Sequence, residues 1–126
     1  MHADGFNGPA SGFVCPDCGG ALWEQRDGHS LRFECRIGDA FSAVELWIRH
    51  CAMRNGELKR AARVLAENAA LARKLAEWTR ERGNDAATLR LLEEAADDER
   101  LFEQVSQLLD GLSGPDTSSL EDVEAE

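Results

Sequence analysis

The stretch that decides the fold of this chain spans residues 15–41. It begins with Cys15-Pro16-Asp17-Cys18-Gly19-Gly20, continues through a segment that turns at Asp27-Gly28, and returns to Cys35-Arg36-Ile37-Gly38-Asp39. Two cysteines separated by two residues, followed by a third cysteine in a second glycine-containing turn, are typical of metal-binding turns. The spacing predicts a small zinc ribbon, in which a two-stranded hairpin joins the two turns.

The hairpin is predicted from residues 21–26 and 29–35. Asp27-Gly28 between two such runs favours a type I′ turn. With a two-residue loop, Trp23 lies opposite Arg32, which predicts a cross-strand cation–π pair. The same register places three apolar side chains on one face: Leu22, Leu31 and Phe33. An isolated hairpin is only marginally stable in water, so this one needs the metal and a surface to pack on.

Three soft thiolates suit one tetrahedral Zn²⁺, and the predicted thiolate ligands are Cys15, Cys18 and Cys35. The predicted fourth ligand is Asp39, which follows the third cysteine by four residues. A carboxylate can bind zinc at about 2.0–2.2 Å, and with three thiolates it leaves the site with a net negative charge. The residues alone leave other fourth ligands open: His29, His50, Cys51 or a water molecule.

A long helix is predicted to begin at Ser42, because Ser42-Ala43-Val44-Glu45 forms a capping box. Residues 42–82 contain no proline and repeat apolar residues at three- and four-residue steps. Asn55-Gly56 is the weak point of this helix and predicts a kink or a break. Gly83 then ends the helix, Asn84 or Asp85 caps the next, and a second helix is predicted over residues 85–109.

The two predicted helices differ in charge. Residues 42–82 carry nine basic and five acidic residues, net +4, and residues 85–110 carry two basic and eight acidic residues, net −6. Opposite charges favour antiparallel pairing of the two helices, or of two copies of the chain. The predicted fold class is therefore α+β, mainly α: a zinc ribbon with a two-stranded hairpin, followed by a long antiparallel α-helical hairpin.

Composition divides the chain into four predicted segments. Residues 1–11 have one large apolar side chain and predict a flexible leader. Residues 12–41 are the ribbon, and residues 42–110 are the helical hairpin. Residues 111–126 are acidic and serine-rich, which predicts a disordered tail.

Charge and hydropathy limit the classes of partner. With 14 basic and 24 acidic residues the chain has a net charge of −10, which argues against a general nucleic-acid binder because phosphate contacts need a basic surface. One alternative is a nucleic-acid-associated ribbon that uses the basic face of the first helix: Lys59, Arg60, Arg63, Arg73 and Lys74. The sequence has no apolar run of about 18 residues and no signal-like start. We therefore expect a cytoplasmic chain with reduced thiols and no membrane association.

No set of residues predicts an enzyme. His50 and Cys51 are neighbours on a helix, where adjacent side chains point about 100° apart, so they do not form a catalytic pair. The Cys15-x-x-Cys18 motif lacks the strand-to-helix context of a dithiol redox pair. The carboxylate pairs Glu93-Glu94 and Asp97-Asp98 are typical of a solvated helix face.

Residues 11–42 resemble the C-terminal extension of some bacterial chemotaxis protein-glutamate methylesterase homologues. The resemblance is carried by Cys15-Pro16-Asp17-Cys18-Gly19-Gly20-Ala21-Leu22-Trp23-Glu24 and by Leu31-Arg32-Phe33-Glu34-Cys35-Arg36-Ile37-Gly38. The family has a histidine where this chain has Asp39. Its Ser-His-Asp chemistry belongs to the methylesterase domain and cannot be assigned to any residue of this chain.

The resemblance implies an accessory module of a bacterial signalling system. Together with the motif, it predicts a non-enzymatic zinc-binding module for protein interaction or regulation. We expect its partner to be a protein, such as a chemotaxis-like signalling component, and we expect the chain to form a homodimer through its helices.

Overall fold

The structure, a computed structural model, describes residues 8–120. Its elements are β1 (Ala10–Val14), β2 (Ala21–Asp27), β3 (Ser30–Cys35), β4 (Ala40–Ser42), α1 (Ala43–Glu81), α2 (Asp85–Gly111) and a 3₁₀ turn at Ser118–Leu120. The described residues form two compact units, one of residues 8–53 and 114–120 and the other of residues 54–113. The fold is α+β, with an antiparallel sheet that precedes two helices.

The sheet has four strands, not the predicted two, and the predicted hairpin corresponds to β2 and β3. The strands pair antiparallel in the order β1-β2-β3-β4. The sequence conceals β1 because Gly8, Pro9 and Gly12 are poor strand formers, and Gly12 has a φ of +87° where the β1–β2 register shifts. Strand β4 has three residues, too few to show an alternating pattern.

The predicted leader is shorter than expected. Strand β1 begins at Ala10, and just before it the carbonyl of Pro9 accepts a hydrogen bond of 2.8 Å from the backbone N–H of Glu24. Gly8 is buried, and a Cβ at this position would lie 1.3 Å from the Glu24 carbonyl oxygen, so only glycine fits here. Residues 1–7 of the predicted leader lie outside the described residues.

The β2–β3 hairpin turns one residue later than predicted. Asp27 pairs with Ser30, so the loop is Gly28-His29 and Trp23 lies opposite Glu34. Gly28 has a φ of +63° and His29 has no positive φ, which is the pattern of a type II′ turn with glycine at the first central position.

The new register shifts each pairing by two residues, which keeps every side chain on its predicted face. Leu22 and Phe33 are accordingly buried in one core, against which Leu31 packs. The predicted cation–π pair of Trp23 forms with a different arginine. The guanidinium of Arg36, not Arg32, lies over the Trp23 ring, 5.7 Å from its centroid.

The start of α1 completes the core of the sheet unit. Ser42 Oγ accepts a bond of 3.1 Å from the Glu45 N–H, and Glu45 Oε1 accepts one of 3.4 Å from the Ser42 N–H. This is the predicted capping box. Phe41 before the cap and Leu46 after it are both buried in the cluster around Leu22, as expected for a hydrophobic staple.

Helix α1 continues through Asn55 and Gly56 as one element of 39 residues, so the predicted break does not occur. A glycine in a helix costs about 1 kcal/mol. The flanking residues, rich in Ala, Leu, Glu, Lys and Arg, are strong helix formers that offset this cost.

The helical unit is an antiparallel pair closed by a Schellman motif. Gly83 has a φ of +75°, and the N–H groups of Gly83 and Asn84 donate to the carbonyls of Arg80 and Thr79 at 3.0 and 2.9 Å. The Asn84 side chain then caps α2 by accepting a bond of 3.2 Å from the Ala87 N–H. This is the chemistry predicted for residues 83–85.

Contacts successively farther from the turn show how the two helices pair. Thr79 and Thr88 share a hydroxyl hydrogen bond of 2.6 Å, and Arg73 holds Glu99 with two bonds of 2.8 and 2.7 Å. The latter joins the basic helix to the acidic one, as the charge difference predicts. The seam, the buried face between the helices, is formed by small residues: Ala62, Ala69, Ala72, Ala76, Thr88 and Ala95.

After α2, residues 112–117 have no regular structure and precede the 3₁₀ turn. Residues 121–126, the end of the predicted disordered tail, lie outside the described residues. Within residues 8–120, neither helix combines the length and the hydropathy that a bilayer crossing requires.

Candidate metal centre

Two backbone turns present the predicted ligands. In the first, the Cys15 N–H donates to the Gly20 carbonyl at 2.7 Å and the Gly19 N–H donates to the Cys15 carbonyl at 2.8 Å. Gly19 has a φ of +76°, a conformation that glycine adopts without the cost of a Cβ. The N–H groups of Asp17 and Gly20 point at the sulfurs of Cys15 and Cys18, each at 3.4 Å.

The second turn repeats this arrangement at the end of β3. The Cys35 N–H donates to the Asp39 carbonyl at 2.9 Å, and the Gly38 N–H donates to the Cys35 carbonyl at 3.2 Å. Gly38 has a φ of +103°. The chain therefore reverses tightly between Cys35 and Asp39, and both side chains lie close to the cysteines of the first turn.

The structure brings the four predicted ligands together. The sulfurs of Cys15, Cys18 and Cys35 and a carboxylate oxygen of Asp39 all lie within 4.8 Å of one another, a group that could hold a metal ion. Cys15 and Cys35 are buried, Asp39 is half-buried and Cys18 is exposed. All four cysteines of the chain are free thiols.

The dimensions of this group fit a small tetrahedral ion. With Zn–S bonds of about 2.3 Å, neighbouring sulfurs of a tetrahedral site lie about 3.8 Å apart. A group spread over at most 4.8 Å reaches that geometry by a contraction of about 1 Å.

Burial disfavours the thiolate form of Cys15. Burial raises its pKa from 9.0 to about 11, and its hydrogen bond to Asp39, from Sγ to Oδ2 at 3.4 Å, acts in the same direction, whereas the Asp17 N–H lowers the pKa. A bound cation would displace the thiol proton and replace the thiol–carboxylate contact with two metal–ligand bonds. Asp39 is thus in hydrogen-bond contact with one of the candidate thiol ligands.

The alternative fourth ligands are placed elsewhere. His29 lies in the Gly28-His29 turn at the far end of β3, and six residues of strand separate it from Cys35 by about 20 Å. His50 lies on α1 with its ring 6.3 Å from that of Phe13, edge to face. Cys51 is buried at an apolar position. None of the three belongs to the ligand group found among residues 8–120.

A neighbouring apolar cavity was not predicted from the sequence. It has a volume of about 280 Å³ and lies between the sheet and the start of α1, with Phe13, Phe33, Leu46 and Trp47 in its wall. His50 also lines it, and its Nε2 is buried with no hydrogen-bond partner in the described part of the chain. Because the sequence did not predict β1, it gave no means of placing Phe13 beside Phe33 and Trp47.

The chain's own residues identify this candidate site. Cysteine spacing selected three ligands, turn geometry selected the fourth position, and the structure places all four in one group. Comparison of the chain with protein-family models, with curated proteins and with solved structures gives no match.

Proposed function

We propose that this chain is a zinc-binding, non-enzymatic module that acts through a protein partner in a bacterial signalling system. The observation that carries the proposal is the group of three cysteine sulfurs and one carboxylate oxygen within 4.8 Å. Soft thiolates select zinc over magnesium or calcium, which prefer oxygen ligands. The d¹⁰ ion accepts the tetrahedral arrangement without strain.

A structural role for the ion is supported by the number of ligands. Catalytic zinc sites keep one position open for water or substrate, whereas structural sites are closed by four protein ligands. Here Cys15 and Cys35 are also part of the buried cluster that contains Leu22 and Phe33. The ion would therefore fix the sheet, and the function would lie in the surfaces that the sheet and helices present.

The signalling context is supported by the resemblance of residues 11–42 to the extension of methylesterase homologues. The turns that carry the resemblance are the turns that form the ligand group. Free thiols throughout the chain suit the reducing cytoplasm, where metal-bound cysteines persist. Asp39, in place of the family's histidine, would make this site more negative than its relatives.

A protein partner is favoured over nucleic acid by the ion pairs of the basic helix. Arg60, Arg63 and Arg73 contact Glu57, Glu67 and Glu99 at 3.1, 3.6 and 2.7 Å. Acidic neighbours reduce the positive potential that phosphates would meet. An electrophoretic mobility-shift assay with nucleic acid tests this alternative. A shift that weakens steeply with salt would contradict the proposal.

Metal content of purified variants tests the site. We expect about one zinc per chain in the parent protein and in Cys51→Ser, which removes a buried thiol outside the ligand group. Cys35→Ser should lose most of the zinc and the sheet, while most of the helical circular dichroism is retained because the sheet contributes little to it. Unchanged zinc in Cys35→Ser, by elemental analysis, would refute the ligand set.

Asp39→His tests the fourth position in the same assay. Imidazole is a common zinc ligand that would leave the site less negative, so we expect tighter binding in competition with a chromophoric chelator. A weaker affinity would mean that the carboxylate performs a role that imidazole cannot, and that the ligand set needs revision.

A further inference from the structure

Helix α1 carries a second apolar surface that the helical hairpin leaves uncovered. Between residues 54 and 81, its exposed large apolar side chains are Val64, Leu71, Leu75 and Trp78, each 43–57% exposed. Their spacings of seven, four and three residues place them on one stripe. In a heptad frame, Val64, Leu71 and Trp78 occupy position d and Leu75 occupies position a.

This stripe is distinct from the seam between α1 and α2. The seam residues Ala62, Ala69 and Ala76 also repeat every seven residues, but the stripe lies two residues farther along the helix. Two residues rotate the helix by about 200°, so α2 covers one side of α1 and the stripe faces another. The stripe contains large, exposed apolar residues, whereas the seam residues of α1 are alanines.

The charges beside the stripe alternate in sign. In the same frame, position g holds Arg60, Glu67, Lys74 and Glu81, in that order. Residues at g of one helix face residues at g of an antiparallel neighbour, but face position e of a parallel one. An alternating series of four is complementary to its own reverse: the first pairs with the fourth, and the second pairs with the third.

We propose that two copies of this chain associate through antiparallel pairing of their α1 stripes. In the register set by the charges, Arg60 of one copy meets Glu81 of the other, and Glu67 meets Lys74, each twice by symmetry. The inference deepens the proposed function, on which it rests for the idea that the module acts through a protein partner. It names that partner as a second copy.

The apolar side chains agree with the same register. Layers of an antiparallel pair join an a residue to a d residue, which here brings Val64 against Leu75 of the second copy. The two central layers bring Leu71 against Asn68, an exposed residue of the single chain and the polar member of position a in these layers. At the outer layers the large Trp78 meets the small Ala61, and Arg82 meets Glu57. Within one chain the Arg82 guanidinium already lies 3.3 Å from the Trp78 ring centroid. Arg82 is therefore at the edge of the α1 stripe, where it would contact the second copy.

Parallel pairing lacks this complementarity. It would place Glu67 near Ala72, which is buried in the seam, and Lys74 near Thr79. Two ion pairs within the helix must exchange for intermolecular ones: Arg63–Glu67 at 3.6 Å and Arg60–Glu57 at 3.1 Å. Both are exposed, so each contributes little to stability. Antiparallel pairing therefore uses every charge at position g, and parallel pairing uses none.

Charge reversal at position g tests both the surface and the orientation. Glu67→Lys and Lys74→Glu each turn two attractive contacts into two repulsive ones, which should raise the dimer dissociation constant roughly ten- to thirtyfold. An equimolar mixture of the two variants should restore dimers, because each Lys then meets a Glu. Sedimentation equilibrium measures all three samples, and Glu77→Lys, a reversal at position c, is the matched control that should behave as the parent.

A second pair of variants tests the apolar stripe. Leu71→Asp should give monomers with unchanged helical circular dichroism, whereas Leu89→Asp, at a 64% exposed leucine of α2, should leave the dimer intact. A parent protein that remains monomeric at millimolar concentration would overturn the proposal, as would dimers insensitive to Leu71→Asp. Zinc content measured on the same samples separates failure of the dimer from failure of the metal site, since neither leucine variant alters a ligand.

Discussion

The proton balance of zinc binding gives the sharpest test of the ligand set. Burial raises the pKa of Cys15 to about 11, so its thiol holds a proton at neutral pH and must lose it to bind a metal. Cys18 and Cys35 bind through the same thiolate chemistry. A carboxylate ligand adds no proton at neutral pH. Binding to the predicted set should therefore release roughly three protons.

The magnitude follows from linkage. Each released proton changes the apparent affinity about tenfold per pH unit, so three protons give roughly a thousandfold change. The sign follows because zinc and protons compete for the same thiolates: as the pH falls, protons compete better and zinc binds more weakly. We expect chelator competition between pH 6.5 and pH 7.5 to show affinity rising by this factor.

Calorimetry in buffers of different ionisation enthalpy counts the protons directly. Four protons would place a fourth thiol, Cys51, in the site instead of Asp39, and one or two would mean that a cysteine of the set does not bind. Asp39→Asn separates the carboxylate from the thiols: it should weaken binding while the proton count stays at three. An unaltered affinity in Asp39→Asn would refute the role of Asp39.

Two further predictions concern the scaffold of each unit. Gly8→Ala would place a Cβ 1.3 Å from the Glu24 carbonyl oxygen, so we expect β1 to shift and the free energy of unfolding to fall by about 1–3 kcal/mol. The control is Gly56→Ala, whose Cβ meets no atom within 4 Å and which should raise the free energy of unfolding. In the helical unit, hydrogen bonding to Arg73 lowers the pKa of Glu99, so this contact stabilises above the usual carboxyl pKa and is lost as the pH falls through the lowered value. Glu99→Gln should accordingly reduce the melting temperature slightly at pH 7 and leave it unchanged at pH 2, and an equal effect at both pH values would contradict the ion pair.

The parts of the fold that were predictable are those with local chemical signals. The capping box at Ser42 and the glycine and asparagine at 83 and 84 specify backbone hydrogen bonds between near neighbours, and each bond is present. The metal turns belong to the same class, because glycine spacing after Cys15 and Cys35 determines where the chain can reverse. Their residues could therefore be placed without knowledge of the sheet.

The parts that were missed depend on pairing between distant residues. Strand β1 forms because Pro9 and the residues after it make backbone hydrogen bonds to β2. Residues 8–12 contain three poor strand formers, so the local sequence does not predict this pairing. The predicted hairpin register was wrong by a shift of one residue in the turn. Asp27-Gly28 and Gly28-His29 both give two-residue loops, and the flanking strand pairs decide between them. The apolar cavity was missed with β1, since Phe13 forms one of its walls.

The metal turns and the start of α1 form one connected structure within the sheet unit. Asp39 leads directly into β4, whose last residue, Ser42, caps the helix. Asp17, between the first two cysteines, forms an ion pair with Arg49 of α1. A change of metal state would thus act on the first turns of α1 from two sides, through the chain at Asp39 and through the side chain of Asp17. Phe41 and Leu46 pack in the same core as Cys15 and Cys35, so the ligand turns and the first turn of α1 depend on one set of buried contacts.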